Sequence, residues 1–540
     1  MSGAQRGPAG SIATMTLPIV PRLLVLVLLG CLAAGIGWAR ARRAPAAAPV
    51  AGEAGVRWPA QRAAGTLLLS GRNLGKLKPC GCSAPQLGGL ERLATAVEML
   101  RTRSGDALVP VSLGWSAAAP VPLRRDREQA RLKAMLYRQA LQALGYGAHL
   151  LGPSDLQVAE LVASFATPGA GGSERPTLPL NMRPSASLGV DPEAPAVGWA
   201  DLAAGPVAVR VLTLLDEGQG RLLRDAGLAE AVVPAAQAVQ ALPRQVGRVH
   251  VVALEASAAE LEAVKAALRG VGACVIVDMS GATAEATHVG VVLGDTPLVV
   301  GLEEKGKNVG VLDLEVAPGG GWTATWTPQP LLPLFSGTET PSRLRQEVAG
   351  WFAVYKREVQ AQGLLAMEER RAEAPGEPRY VGSAACAACH EAIYRDWHAT
   401  PHAGALRTLR MDDYAGDPEC LACHVQGPQR QPDGRFTWAQ SGFVDDASTP
   451  YLGGVGCENC HGPGSTHVAA PYEAAVWASS RLLRARPERQ DCMTCHDLEN
   501  SVGFSEQYHE RLPRVNHGGV PAGQRSHAPR VRRAAGAAGG

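Results

Sequence analysis

Short apolar runs punctuate residues 62–335: Thr66–Ser70, Leu108–Leu113, Val207–Leu215, Val249–Leu254, Ala273–Asp278, Val289–Leu293, Pro297–Leu302 and Val309–Val316. Each is strand-length, with Val and Leu on consecutive positions, the pattern of strands buried on both faces. Helical periodicity fills several of the gaps, over Leu90–Arg101, Arg127–Leu144 and Ala258–Leu268. Alternating strands and helices predict a layered α/β fold. Cys274 sits mid-strand among Ala273, Val275 and Ile276 and reads as a buried apolar residue. From Pro341 to Glu373 the period changes: Leu344, Val348, Trp351, Phe352, Tyr355 and Val359 recur at three- and four-residue steps. They predict one helix, a linker packed on the first half rather than a docking element. Ala374-Pro-Gly-Glu-Pro378 ends it, and beyond Tyr380 the long apolar periods stop.

Chemistry takes over where hydrophobic patterning fades. Four copies of Cys-x-x-Cys-His follow: Cys386, Cys389 and His390; Cys420, Cys423 and His424; Cys457, Cys460 and His461; Cys492, Cys495 and His496. This is the attachment signature of c-type haem, in which two thiols add to the vinyl groups and the adjacent His ligates iron. Two zinc ribbons would also use paired Cys-x-x-Cys motifs. Zinc, however, has no need of a His directly after the second Cys, and here it stands there in all four. The expectation is four covalent haems c, with His390, His424, His461 and His496 as proximal ligands.

Composition sharpens the division. Of 13 His and 12 Cys, ten and eight fall after residue 385. The formal net charge is +2 with no dense Lys/Arg stripe, which argues against a nucleic-acid partner. The Arg-containing tail after His527 ends in Ala and Gly and reads as a disordered terminus. Haem attachment needs reduced thiols outside the cytoplasm, so the chain is expected to be exported to the periplasm or cell envelope. Arg22 precedes an apolar run from Leu23 to Trp38, short for a membrane span and suited to a signal peptide. Cleavage near Ala39-Arg-Ala41, retention as a membrane anchor, and lipidation of Cys31 in Leu28-Leu-Gly-Cys31 all stay open.

The haem segment resembles a known family. Tyr380-Val-Gly-Ser before Cys386, then Tyr394-x-x-Trp397 and Thr400-Pro-His402-Ala403, is similar to the opening of a tetrahaem cytochrome family. That family is typified by the hydroxylamine-pathway electron carrier of ammonia oxidisers. Gly454-Val-Gly-Cys457 through His461-Gly-Pro-Gly-Ser-x-His467 is similar to its third haem site. Phe504, Tyr508 and Pro513-Arg-Val-Asn-His517 are similar to the segment that returns a distal His. The resemblance implies His402, His467 and His517 as distal ligands, with His398, His509 and His527 as spares. Three distal candidates for four irons, in a family that includes a five-coordinate haem, imply one open iron. Met411 and Met493 are the only Met residues here. Tyr380, Tyr394, Trp397, Phe436, Trp438, Phe443, Tyr451, Trp477, Phe504 and Tyr508 are candidates for packing on haems or on neighbouring helices.

The first half resembles the metallophosphatase domain of exported 5′-nucleotidases with its metal ligands replaced. Where that family has Asp-x-His-Gly, this chain has Arg72-Asn-Leu74-Gly75. Gly-Asp becomes Gly114-Trp115, Gly-Asn-His-Glu becomes Gly152-Pro153-Ser154-Asp155, and Gly-His-x-His becomes Gly281-Ala282-Thr-Ala284. Flanking context survives in Gly88-Gly-Leu-Glu-Arg92 and Gly306-Lys307-x-x-Gly310. Arg, Leu, Trp, Pro and Ala cannot hold two cations or activate water. Cys80-Gly-Cys82 near this place fits either a structural disulfide or inert thiols, or a redox or soft-metal role.

These readings divide the chain into a signal or anchor segment with linker (1–60), a degenerate metallophosphatase-like α/β layered sandwich (61–335) and a linker helix (336–378). A mostly α-helical and irregular tetrahaem cytochrome c domain (379–520) and the tail (521–540) follow. The expected function is single-electron relay to redox partner proteins, other cytochromes among them, with the α/β domain as an inactive scaffold or docking module. The alternative is a haem enzyme acting on a small nitrogen or oxygen compound at an open iron. No cluster of proton donor and substrate-binding Arg or Lys stands out to support it.

Overall fold

The computed structural model describes residues 55–515 except 80–85, 117–123, 159–161, 163–176, 189, 191–197, 244–246, 282–283, 285, 337–341, 433, 471–486, 498–499 and 502–503. Thirteen strands build the α/β part: β1 Gly65–Ser70, β2 Leu108–Ser112, β3 Ala148–His149, β4 Met182–Pro184, β5 Ala200–Ala204, β6 Val207–Leu214, β7 Ala229–Val232, β8 Arg248–Leu254, β9 Ala273–Asp278, β10 His288–Leu293, β11 Leu298–Gly301, β12 Asn308–Val316 and β13 Trp322–Pro330. One sheet has the order β10-β13-β12-β1-β2-β3, parallel from β1 through β3 and antiparallel elsewhere. The other runs β11-β9-β8-β6-β5, parallel except for the β5–β6 pair.

The two sheets pack face to face. Leu67, Leu69, Val111, Leu312, Leu314 and Trp326 of the first share a core with Val209, Val211, Val249, Val251, Val275 and Val277 of the second. Gly310 on β12 makes room for the Trp326 indole on β13, since a Cβ there would lie 1.8 Å from the ring. Outside the first sheet lie helices Leu90–Ser104, Arg124–Ala143 and Arg343–Ala361, meeting Leu68, Val309 and Val311. Outside the second lie Ala235–Gln240 and Ala258–Leu268, meeting Leu212, Val252 and Ile276. The result is the α/β layered sandwich that the alternating pattern predicts, and Cys274 is buried in its outer core.

Two expectations need correction. β10 is an edge strand, and Val289 and Val292 are 77% and 66% exposed rather than buried on both faces. The helix expected over Pro341 to Glu373 stops at Ala361, because Gly363 takes a left-handed conformation (φ 62°) that reverses the chain. Its apolar stripe of Val348, Phe352, Tyr355 and Val359 packs on the α/β layer, as a linker helix should. Short Arg370–Arg371 (β14) then pairs in a small sheet with Phe436–Ala439 (β16), which also pairs with Pro428–Arg430 (β15). Around it the haem-motif segment is a set of short helices and loops. No helix among the described residues is long and apolar enough to cross a membrane. The Leu23–Trp38 run and Cys31 lie outside those residues, as do Cys80 and Cys82.

His149 on β3 gives the α/β part an acid sensitivity. Burial, reinforced by nearby Arg138, holds its imidazole at about 3, against an ordinary value of 6.5. Between those values the unfolded chain binds the extra proton, so stability falls as pH drops through this window. Urea unfolding followed by circular dichroism should show His149 contributing a loss approaching 1.4 kcal/mol per pH unit, about one proton's worth, below pH 6. His149→Gln should flatten the slope by that amount, and an unchanged slope would contradict the assignment.

Candidate functional site

Each Cys-x-x-Cys-His motif forms about one turn of helix, which brings positions i, i+3 and i+4 to one face. The first begins within helix Ser383–Ala387, with the Cys389 and His390 amides both donating to the Cys386 carbonyl, at 3.3 and 2.9 Å. The second lies within Pro418–His424, where Asp417 caps the N-terminus by accepting from the Glu419 amide at 3.0 Å and Pro418 takes the first helical position. The third is helix Cys457–His461, and the fourth begins in Arg489–Met493 and closes with the His496 amide on the Cys492 carbonyl at 2.9 Å. All eight motif thiols are half-buried and free of disulfides, as haem attachment requires.

The fold gathers these turns. The Cys386 and Cys457 side chains share a hydrogen bond, as do those of Cys423 and Cys495, so motif one meets three and motif two meets four. Helix Cys457–His461 packs against Arg489–Met493, joining three to four, and the Cys460 thiol feels those of Cys492 and Cys495 electrostatically. Cys420 lies beside Asp417 and Glu419. Contact with Cys386 draws the Cys457 thiol below its ordinary value, while burial first, then the Cys492 and Cys495 thiols, pushes Cys460 up to about 12. Conversion to thioethers would remove both titrations.

Backbone clamps hold the cluster. The buried Glu458 carboxylate accepts from the amides of Val381 at 3.0 Å, Gly382 at 2.7 Å and Gly464 at 2.8 Å. Burial raises its pKa, and these donors pull it back. The Ser383 hydroxyl accepts from the Cys457 amide at 3.0 Å. Gly454 donates to the His424 carbonyl at 3.1 Å and Val455 to the His402 carbonyl at 2.9 Å, while the Trp397 indole donates to the Val455 carbonyl at 3.0 Å. A Cβ on Gly454 would lie 2.6 Å from the Ala403 carbonyl oxygen, so this crossing needs glycine.

The donor set fits haem iron. The rings of His390 and His467 have centroids 6.3 Å apart at an interplanar angle of 29°, and those of His402 and His496 are 6.0 Å apart at 53°. Two imidazoles bound on opposite sides of one metal at about 2 Å each place their centroids roughly 6 Å apart. Burial lowers the pKa of His402, His467 and His496, the last to about 4, so all three stay neutral at pH 7. His424 Nδ1 donates to the Ala405 carbonyl at 2.8 Å, which leaves Nε2 with its lone pair for a metal.

The remaining expected residues divide. His517 and the spare His527 lie outside the described residues, as does Trp477. His398 is exposed and contacts Tyr394 and Trp397 on its own helix, and His509 contacts Tyr508. Phe504 lies flat on His496 at 4.3 Å and 8°. Tyr380, Trp438 and Phe443 pack with Leu421, Val425 and Leu452 in a small protein core, while Tyr451 is 53% exposed. Sequence reading did not find the His pairings, which depend on tertiary placement, or the Glu458 clamp. The Asp417-Pro418 cap was legible as a helix start and was missed.

In the α/β part, Arg72, Leu74 and Trp115 all have positive φ, at 53°, 49° and 53°. The Arg72 amide donates to the Gly114 carbonyl and the Leu74 amide to that of Trp115, each at 3.0 Å. The guanidinium of buried Arg72 donates to the Leu302 carbonyl at 3.2 Å, and the Trp115 indole donates to Glu255 at 2.8 Å. Ala284 is buried, and Ala282 lies outside the described residues.

Comparison with known proteins places a family match in the haem segment. Residues 385–462 match the family model described as Cytochrome c554 and c-prime. The haem segment is 33% identical over 108 residues to Cytochrome c-554 of Nitrosomonas europaea, covering 17% of this chain and 40% of that protein. It is also similar to the multiheme cytochrome MtrA of Shewanella baltica, at 26% over 96 residues, or 18% of this chain and 28% of that one. The chain therefore spans less than half the length of either relative. Among solved structures, the Thermus thermophilus sulfate thiohydrolase SoxB in complex with glycerol aligns with a TM-score of 0.41 at 13% identity, over 57% of this chain and 62% of that one. A 5′-nucleotidase precursor, also from Thermus thermophilus, gives 0.41 at 16%, over 64% and 67%.

The facing His pairs make a direct prediction. In the haem-loaded protein, His467→Ala and His402→Ala should each convert one low-spin iron to a high-spin or carbon-monoxide-binding state, read by electron paramagnetic resonance and optical spectra. His398→Ala should leave the spin balance unchanged. A neutral His467→Ala would contradict the first pairing.

Proposed function

We propose that the protein is an exported c-type cytochrome that holds four covalent haems and relays single electrons between redox partner proteins, other cytochromes among them. The observation that carries this reading is the contact between attachment turns. Cys386 meets Cys457, Cys495 meets Cys423, and helix Cys457–His461 of the third motif packs against Arg489–Met493 of the fourth. Attachment points this close make neighbours of the groups they carry, in the order one, three, four, two. When bound, each haem supplies an iron that cycles between two oxidation states at little structural cost. The chain's part is to hold the cysteine pairs, present neutral imidazoles and keep the spacing fixed through the Glu458 and Gly454–Val455 contacts.

On this reading the α/β sandwich is a catalytically inactive scaffold. Arg72, Leu74, Trp115, Pro153 and Ala284 stand where a two-metal hydrolase would need carboxylates and imidazoles. Covalent haem attachment places the working protein in the periplasm or cell envelope, with the Leu23–Trp38 run as the export signal or anchor.

The haem count tests the assignment. Pyridine-haemochrome analysis should give four haems per chain, and Cys457→Ala with Cys460→Ala should lower the count by one. An unchanged count would remove that motif from the set. Phosphatase assays of the full-length protein with divalent metals should show no hydrolysis of nucleotides or phosphomonoesters, and chelator-sensitive turnover would contradict the scaffold role.

A further inference from the structure

The α/β layer does more than adjoin the haem segment, because it reaches into the second attachment turn. Gln129, on helix Arg124–Ala143, is 1% exposed, and its Nε2 donates to Asp417 Oδ1 at 2.7 Å and to the Tyr355 hydroxyl at 3.0 Å. Tyr355, on helix Arg343–Ala361, donates its hydroxyl to Asp417 Oδ2 at 3.1 Å. Asp417 is 4% exposed and caps the helix that carries Cys420, Cys423 and His424. Both carboxylate oxygens are therefore met by side chains of the α/β layer, and one of them also by the Glu419 amide.

Neighbouring contacts repeat the pattern. Lys133 Nζ lies 2.5 Å from Glu419 Oε2, with Lys76 Nζ at 3.9 Å from the same atom. Lys356 sits over the Tyr414 ring at 4.6 Å. At the far end of the same helix, His424 is oriented by the Ala405 carbonyl. The turn is thus held at its start by the α/β layer and at its iron-binding end by the haem segment.

We propose that Gln129 and Tyr355 are positioning residues for the second haem, acting through Asp417 to set the placement of the Cys420–His424 turn. This rests on the reading that the second motif carries a haem. A buried carboxylate stripped of its donors must find others or draw in water, and either response shifts the first turn of a helix only seven residues long. The imidazole of His424 rides on that helix, so its contact with iron changes with it. These hydrogen bonds of Gln129 and Tyr355 reach the haem segment at Asp417, in the second motif's helix, so the effect is expected at that haem.

The test uses the full-length, haem-loaded protein and a spectroelectrochemical titration that resolves its components. A Cys420→Ala/Cys423→Ala variant first identifies the component belonging to the second haem by its loss. Gln129→Leu with Tyr355→Phe should then retain four haems while shifting that component's potential and its paramagnetic-resonance signal, leaving the other three in place. Tyr355→Phe alone, which deletes one hydroxyl, should move the same component by less and keeps the test available should the double variant fold poorly. Four unshifted components, or all four moving together, would overturn the proposal. A wild type lacking a component lost on Cys420/Cys423 replacement would instead overturn the haem assignment of the second motif.

Discussion

Two buried carboxylates, Asp417 and Glu458, hold the haem segment in shape. The α/β part has what a conventional domain needs, extensive apolar cores on both sides of its sheets. Among its described residues the haem segment has one small protein core, around Leu421, Val425, Trp438, Phe443 and Leu452. Its attachment turns are therefore fixed largely by directional bonds. Glu458 gathers three backbone amides from the entry of the segment and the exit of the third motif. Asp417 gathers two side chains from the α/β layer and one amide of the second motif. Buried hydrogen bonds of this kind act at low dielectric, where satisfied groups specify one geometry and unsatisfied ones are costly.

This division explains what the sequence made legible. Strands β6, β8, β9 and β12 stand out because consecutive Val and Leu mark strands covered on both faces. β5 and β13 escaped notice, since Ala200-Asp-Leu-Ala-Ala204 and Trp322-Thr-Ala-Thr-Trp326 mix polar and apolar positions at an edge and near one. β10 carried the apolar signal without the burial, because position within a sheet is a tertiary property. The linker helix was overextended because its stripe ends at Val359 while Gly363, the residue that reverses the chain, gave no periodic signal.

For the candidate site, the spacing of Cys386, Cys389 and His390 and its three copies carried the chemistry directly. A local spacing cannot say which imidazole faces which. The facing of His390 with His467 and of His402 with His496 joins residues 77 and 94 positions apart, and it follows from how the clamps fold the loops together. The contacts between Cys386 and Cys457, and between Cys423 and Cys495, are likewise products of folding. The α/β layer's hold on Asp417 lies still further from any motif, since Gln129 is separated from it by 288 residues.

Locating the metals would test the central claim most directly. Anomalous diffraction at the iron edge from crystals of the haem-loaded protein should reveal four iron positions. One should lie between His390 and His467, and another between His402 and His496. Fewer than four irons, zinc held by paired thiolates, or either His pair without iron between its rings would contradict the account.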